Sequence, residues 1–156
     1  MLRYLWISAV VVVLDQASKF AALRYLVRHA QVELLPFLNL ALTFNTGAAF
    51  GFLNQHSGWQ NFFFIAVAAI ASVAIILWLR RLLPAEWLTG IGLSLVLGGA
   101  VGNLIDRLIH GYVVDFIDVV FGSWHFWTFN IADAGISVGA VLLVLDTVGI
   151  GKSRSA

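Results

Sequence analysis

Cysteine is absent from the 156 residues. That excludes disulfides, thiolate nucleophiles, thiolate metal sites and palmitoylation together. Charge is scarce: Asp, Glu, Lys and Arg make up 11% of the chain, and the net charge is +1. Such a balance supplies no basic surface, so nucleic acid is not expected as a partner. Proline occurs twice, at Pro36 and Pro84, and neither interrupts a long apolar stretch. What remains is apolar. The chain is 61% hydrophobic, with a mean hydropathy of +0.94. A soluble domain of this size cannot hide that much apolar surface, so the solvent is lipid. The length suits a single membrane-embedded domain, 1–156.

Four apolar stretches stand out, about 2–23, 62–79, 88–105 and 133–150. The second and third each run 18 residues without a charge. At 1.5 Å rise per residue, 18 residues cover about 27 Å, close to the hydrocarbon thickness of a bilayer. The expected fold is mainly α and integral to the membrane: a bundle of four transmembrane helices. The first stretch is not a secretory signal, because Asp15 and Lys19 break it and no small-residue cleavage site follows. Trp6, Trp78 and Trp87 fall at one predicted interface, and Trp59, Trp124 and Trp127 at the other. That is the pattern of an aromatic belt.

Lys and Arg set the orientation. Lys19 and Arg107 adjoin carboxylates and are poor topology signals. Without them, Arg3, Arg80, Arg81, Lys152 and Arg154 share one side, against Arg24 and Arg28 on the other. The richer side is cytoplasmic, and both termini lie there. The loops at about 24–61 and 108–132 then face outward. Val32–Leu35 and Phe37–Phe44 read as short strands broken at Pro36, followed by the turn Asn45-Thr46-Gly47. The β-branched segment 111–120 resembles them, so a small antiparallel sheet is expected in the outer loop region. Ala48 to Phe52 is small and apolar, suited to close packing or to the lipid surface.

Ionisable groups inside apolar stretches are costly, and each marks a possible functional site. Asp15 and Lys19 are four apart and share a helix face. They serve either as a mutually neutralising pair or as part of a site. Asn103, Asp106 and Arg107 close the third stretch, just after Gly98-x-x-x-Gly102. Gly135-x-x-x-Gly139 repeats that small-residue pattern in the fourth, and both read as helix-packing faces. Asn130 and Asp133 open the fourth stretch. By spacing alone they make an ordinary helix cap. Asp115, in the preceding loop, changes their meaning. Two carboxylates on one side of the membrane are the minimum for activating water: one takes a proton while the other, protonated, polarises a carbonyl. Asp118, three residues on, points to the opposite face of an extended segment and reads as a solvated loop acid. Asp146 is expected to snorkel toward the cytoplasmic surface. His29, His56, His110 and His125 have no ligand spacing.

Five segments now form a set: Asp15-Gln16-Ala17-Ser18-Lys19, Asn45-Thr46-Gly47-Ala48-Ala49-Phe50, Gly98 through Arg107, Val113-Val114-Asp115-Phe116 and Phe129-Asn130-Ile131-Ala132-Asp133. In this order they resemble the motifs of lipoprotein signal peptidase, the bacterial signal peptidase II family. The resemblance runs from the first stretch to the fourth. It implies an aspartic endopeptidase of the bacterial inner membrane with Asp115 and Asp133 as the catalytic pair. Asp15, Lys19, Asn45, Asn103, Arg107 and Asn130 would be the supporting residues. No cofactor is expected, and no metal requirement, since no set of ligands has credible spacing. The implied partners are membrane lipid and a diacylated prolipoprotein, cut just before its lipidated cysteine. A monomer is expected.

Two other classes use the same residues. A metallohydrolase would draw on Asp115, Asp118, Asp133 and His110 or His125, but lacks any His-Glu-x-x-His arrangement. A proton-coupled carrier would relay through Asp15, Lys19 and Asp133, but no span is broken at its midplane. Topology is directly testable. Reporter fusions after Arg81 and at the C-terminus should report cytoplasm, and one at Trp124 should report the outside. An outside signal from the 80–87 loop would place Asp115 and Asp133 on the wrong face for a secreted substrate.

Overall fold

The structure is a computed structural model that describes residues 2–47, 59–122 and 124–149. A 3-10 turn, Leu2–Tyr4, leads into α1, Leu5–Tyr25. Two strands follow, β1 at Gln31–Leu35 and β2 at Leu38–Asn45. Helices α2, Trp59–Arg81, and α3, Trp87–His110, come next. The chain then forms β3, Val113–Phe121, and a short β4, Trp124–His125, before α4, Ile131–Thr147. The strands join in one antiparallel sheet in the order β1-β2-β3-β4. Phe50, Phe52, His56, Lys152 and Arg154 lie outside the described residues.

Three helical segments, Leu2–Tyr25, Trp59–Arg81 and Trp87–His110, are long and apolar enough to cross a membrane. The fourth, Ile131–Thr147, has 17 residues. Exposure shows which helices face lipid and which face protein. Phe62, Ile70, Val73 and Leu77 of α2 are all exposed. Water would penalise that surface, whereas lipid does not. Helix α3 is the inner one, with twelve buried residues from Leu88 to Asp106. One apolar core joins Ile75, Leu79 and Leu82 to Leu93 and Leu97, and so ties α2 to α3. A second joins Ala22 of α1 to Leu42, Val114 and Phe116, seating the sheet on the end of α1. Trp6, Trp78, Trp87, Trp59, Trp124 and Trp127 all stand exposed, as interfacial tryptophans should.

Glycine lets α3 touch two helices at once. A Cβ on Gly98 would lie 2.7 Å from Val11 Cβ and 2.9 Å from Ser8 O, both on α1. One on Gly102 would lie 2.6 Å from Asp15 Oδ2. Gly92 and Gly99 instead face α4, against Gly139 O and Ala132 O. The two small-residue patterns are therefore packing surfaces, and Gly102 additionally makes room for a charged side chain. Gly99→Ala drives a methyl into the Ala132 carbonyl and the Ile136 side chain, both on α4 beside Asp133. It should destabilise the protein by about 1–3 kcal/mol, the usual cost of overpacking, as measured by thermal unfolding in detergent. Gly111→Ala has open space but a φ of 79°. Its cost should come from backbone strain alone, about 1 kcal/mol.

Candidate active site

Two buried carboxylates hold the backbone at the site. Asp15 Oδ1 accepts from the backbone N–H of Ala132 at 2.9 Å, in the first turn of α4. Asp106 Oδ2 accepts from the N–H of Val114 at 2.9 Å, at the start of β3. These backbone groups directly precede Asp133 and Asp115. Lys19 links the two clamps. Its Nζ lies 2.8 Å from Asp15 Oδ2 and 2.9 Å from Asp106 Oδ2, and donates to Asn103 Oδ1 at 3.0 Å. Asp15 is fully buried and Lys19 is 2% exposed. Gln16 completes the set with its amide, 3.2 Å from Asp15 Oδ2 and 2.9 Å from Asp106 Oδ1. An isolated charge buried in this way is costly, but these charges are paired and hydrogen-bonded.

Asn103 and Asn130 carry the network outward to the two remaining acids. Asn103 Nδ2 donates to Asp133 Oδ1 at 2.8 Å. Asn130 Nδ2 donates to Asp115 Oδ1 at 2.6 Å and to Asn103 Oδ1 at 3.2 Å. Asn130 also caps α4: its Oδ1 accepts from Asp133 N at 2.9 Å, and its own N–H donates to Asp133 Oδ2 at 3.3 Å. The sequence offered a cap or a site at this position, and one side chain does both. Asn45, at the end of β2, donates to the other oxygen of Asp115 at 3.1 Å. The Thr43↔Asp115 register brings that end of β2 alongside. The segment before α4 is pinned to β3 by backbone bonds between Phe129 and Ile117, at 2.8 and 3.0 Å. That bridge sets Asn130 beside Asp115.

Burial pushes the Asp115 carboxyl up to about 6, and the negative charge of Asp133 adds to the rise. The Asn45 and Asn130 amides and the Lys19 charge oppose it. Asp115 thus keeps its proton to a higher pH than an ordinary carboxyl. Next to it lie two surface cavities. One, of about 250 Å³, is lined by Asp115, Asn45, Thr46 and Trp127. The other, of about 500 Å³, is lined by Asp133 with Ser137, Val138, Phe126 and Phe129 and is largely apolar.

Seven of the eight predicted residues, Asp15, Lys19, Asn45, Asn103, Asp115, Asn130 and Asp133, fall in this one network. The eighth, Arg107, stands on the last turn of α3 with its guanidinium 4.9 Å above the Phe64 ring. It forms no ion pair among the described residues. Asp106 and Gln16 were not among the predicted site residues. Their signals were available: Asp106 follows Asn103 by three, one helical turn on, and Gln16 adjoins Asp15. Two acids need correction. Asp118 is not solvated. It is 2% exposed and holds His125 Nδ1 at 2.8 Å, because β3 turns it under the sheet's other face. Asp146 does not simply snorkel, since Thr89 Oγ1 donates to it at 2.6 Å. Asp118 and His125 lie across β3 from Asp115. Among the described residues no three His, Asp or Glu side chains converge into a metal shell.

A family model described as signal peptidase (SPase) II matches residues 7–149. The chain belongs to the signal peptidase II family. A lipoprotein signal peptidase of Coxiella burnetii (strain Dugway 5J108-111) is 50% identical over 142 residues, 91% of this chain and 87% of the relative. One from Alteromonas mediterranea is 42% identical over 154 residues, 99% of this chain and 85% of the relative. A bacterial membrane enzyme solved by the in meso method at 1.9 Å matches with a TM-score of 0.83 and 31% identity, over 94% of this chain and 93% of its own. Family membership makes the chain a membrane protease.

Lys19 is the group on which both clamps depend. Lys19→Met keeps the length of the side chain and leaves Asp15 and Asp106 buried without their cation. The loss should be about 3–5 kcal/mol, the cost of breaking a buried pair. Thermal unfolding in detergent reads it. An unchanged midpoint would mean that the ammonium contributes nothing to holding the two carboxylates.

Proposed function

We propose that this chain is an aspartic endopeptidase that removes the signal peptide from diacylglyceryl-modified prolipoproteins, cutting just before the lipidated cysteine. The observation that carries it is the Asn130 bridge. One side chain binds Asp115 Oδ1 and the backbone of Asp133, so two carboxylates from different elements are held beside each other, each lining one of two cavities that share Asn45, Trp127 and Thr128. The family and the names of the relatives supply the substrate class. The proposal includes one domain, four membrane crossings with α4 as the fourth, cytoplasmic termini, and the site near the outer face of the bacterial inner membrane.

The mechanism needs one protonated and one ionised acid. Asp115, which holds its proton up to about pH 6, donates to the carbonyl oxygen. Asp133 takes a proton from water, and the water oxygen attacks the carbonyl carbon. The resulting tetrahedral diol collapses as a proton passes to the cysteine nitrogen. The C–N bond breaks, leaving a free amine on the lipoprotein and a carboxyl on the signal peptide. Asn45 and Asn130 hold Asp115, and Asn103 holds Asp133, so little reorganisation accompanies the reaction. Arg107, above Phe64, supports the substrate backbone or the field at the pair. The apolar cavity beside Asp133 suits the lipid-bearing side of the substrate. Lipid contributes mainly by placing the scissile bond, since the acyl chains leave one apolar medium for another.

The test is a cleavage assay with diacylated prolipoprotein and mapping of the cut by mass spectrometry. Asp115→Asn and Asp133→Asn should each lower turnover by several orders of magnitude, because the two groups act as a unit. Asp115 must be protonated to act as acid. Wild-type kcat/KM should therefore fall as pH rises through about 6. Near-wild-type activity in either variant, or cleavage of unlipidated precursor at the same rate, would overturn the assignment.

A further inference from the structure

Helix α2 contributes no residue to the chemistry proposed above. Its apolar core with α3 runs through Ile75 and Leu79, toward its C-terminal end. At its N-terminal end Asn61 and Phe64 reach α3 instead. They are three residues apart and so share one helix face. Both meet Arg107. Asn61 Nδ2 donates to the Arg107 backbone carbonyl at 3.2 Å. The Phe64 ring lies under the Arg107 guanidinium, with its centroid 4.9 Å from the guanidinium carbon. Phe62 and Phe63, just before it, are exposed, whereas Phe64 is half-buried.

A second contact fixes the ring. A Cβ on Gly47 would overlap Phe64 Cε2 and lie 2.6 Å from Cδ2, so the ring edge occupies the space that a side chain there would need. Gly47 has a φ of 86°, which glycine adopts without strain. Its N–H donates to Asn45 Oδ1 at 2.8 Å, and Asn45 Nδ2 donates to Asp115 at 3.1 Å. The turn that seats the ring is therefore the one that holds Asp115. Phe63 meets the ring edge to face, with centroids 5.5 Å apart. Arg107 lies within electrostatic reach of Asp133, Asp115 and Asp106, yet forms an ion pair with none of them. Its guanidinium is aimed by a ring rather than by a carboxylate.

We propose that Phe64 is a positioning residue of the peptidase, whose ring, seated against Gly47, holds the Arg107 guanidinium ready beside the carboxylate pair. The inference rests on the peptidase function and on the supporting part proposed above for Arg107. A ring suits this task better than an acid would. A carboxylate would pair with the guanidinium and cancel its charge. The negative face of a ring attracts the cation and leaves that charge available to the substrate. It also restricts a long side chain before substrate arrives, so less ordering is needed on binding. Phe64 touches neither carboxylate of the pair, and it acts through Arg107.

Progressively fluorinated phenylalanines at position 64 test this in the full chain, in nanodiscs, with a diacylated prolipoprotein peptide as substrate. Fluorine weakens the negative face of the ring and nearly keeps its shape, so a merely structural role is not moved. Across the series kcat/KM should fall stepwise, by about threefold to thirtyfold at the end, the range of one cation–π contact. The thermal unfolding midpoint should stay unchanged. Phe64→Leu should lose at least as much, and Phe64→Tyr, which keeps the face, should recover most of it. In an Arg107→Lys background Phe64→Leu should cost much less, because an ammonium is a compact, strongly hydrated charge that does not stack. A flat fluorine series, or the same Phe64→Leu factor in both backgrounds, would overturn the positioning role and leave the peptidase function standing. Failure of wild type to cut the lipidated peptide would remove the proposed function and this role with it.

Discussion

A single ammonium group holds the polar heart of this protein together. Lys19 Nζ sits between Asp15 and Asp106, both buried in a bundle whose outer surface is apolar. Lipid offers no solvation to an unpaired charge, so three ionised groups at this depth must satisfy one another. Each carboxylate also takes a backbone N–H from an element that carries Asp133 or Asp115, Asp15 through its second oxygen and Asp106 through the same Oδ2 that meets Lys19. The charge cluster is thus a brace. It ties α1, α3, β3 and the first turn of α4 into one rigid frame, with Asn103 and Asn130 as the links to Asp133 and Asp115.

Helix packing makes the brace possible. Gly102 leaves the volume that Asp15 fills, and Gly99 lets the first turn of α4 lie against α3. Larger residues would separate the helices and stretch hydrogen bonds that are now near 2.9 Å. The sheet plays the complementary part. Its bulge between Leu40 and Thr43 resets the register, so that Thr43 rather than its neighbour faces Asp115 and Asn45 reaches the carboxylate. Opposite faces of β3 then hold different chemistry. Asp115 lines the proposed catalytic cavity, and Asp118, three residues on, holds His125.

Several of these features were legible in the chain itself. The four-residue spacing put Asp15 and Lys19 on one helix face, and they meet at 2.8 Å. Alternation and Pro36 placed the strands within a residue or two of β1 and β2. The odd spacing of Asp115 and Asp118 put them on opposite faces. Burial of Asp118 was not legible, because it depends on His125 returning from β4 to cover it. The partner of Asp146 was equally hidden, since Thr89 lies 57 residues away in sequence.

Composition and local period determine what is local: lipid as the solvent, helices where apolar runs reach membrane length, strands where residues alternate, and which side chains share a face. These follow from the geometry of one element and its solvent. Only the tertiary structure decided which oxygen meets which donor. Asp15 could have paired with Lys19 alone, yet its second oxygen finds the backbone of Ala132, 117 residues along the chain. Asn130 could have been a helix cap and nothing more, yet the Phe129–Ile117 bridge brings Asp115 within 2.6 Å of its amide. Such choices depend on how separate elements close on one another, and no pattern within a single segment encodes that distance.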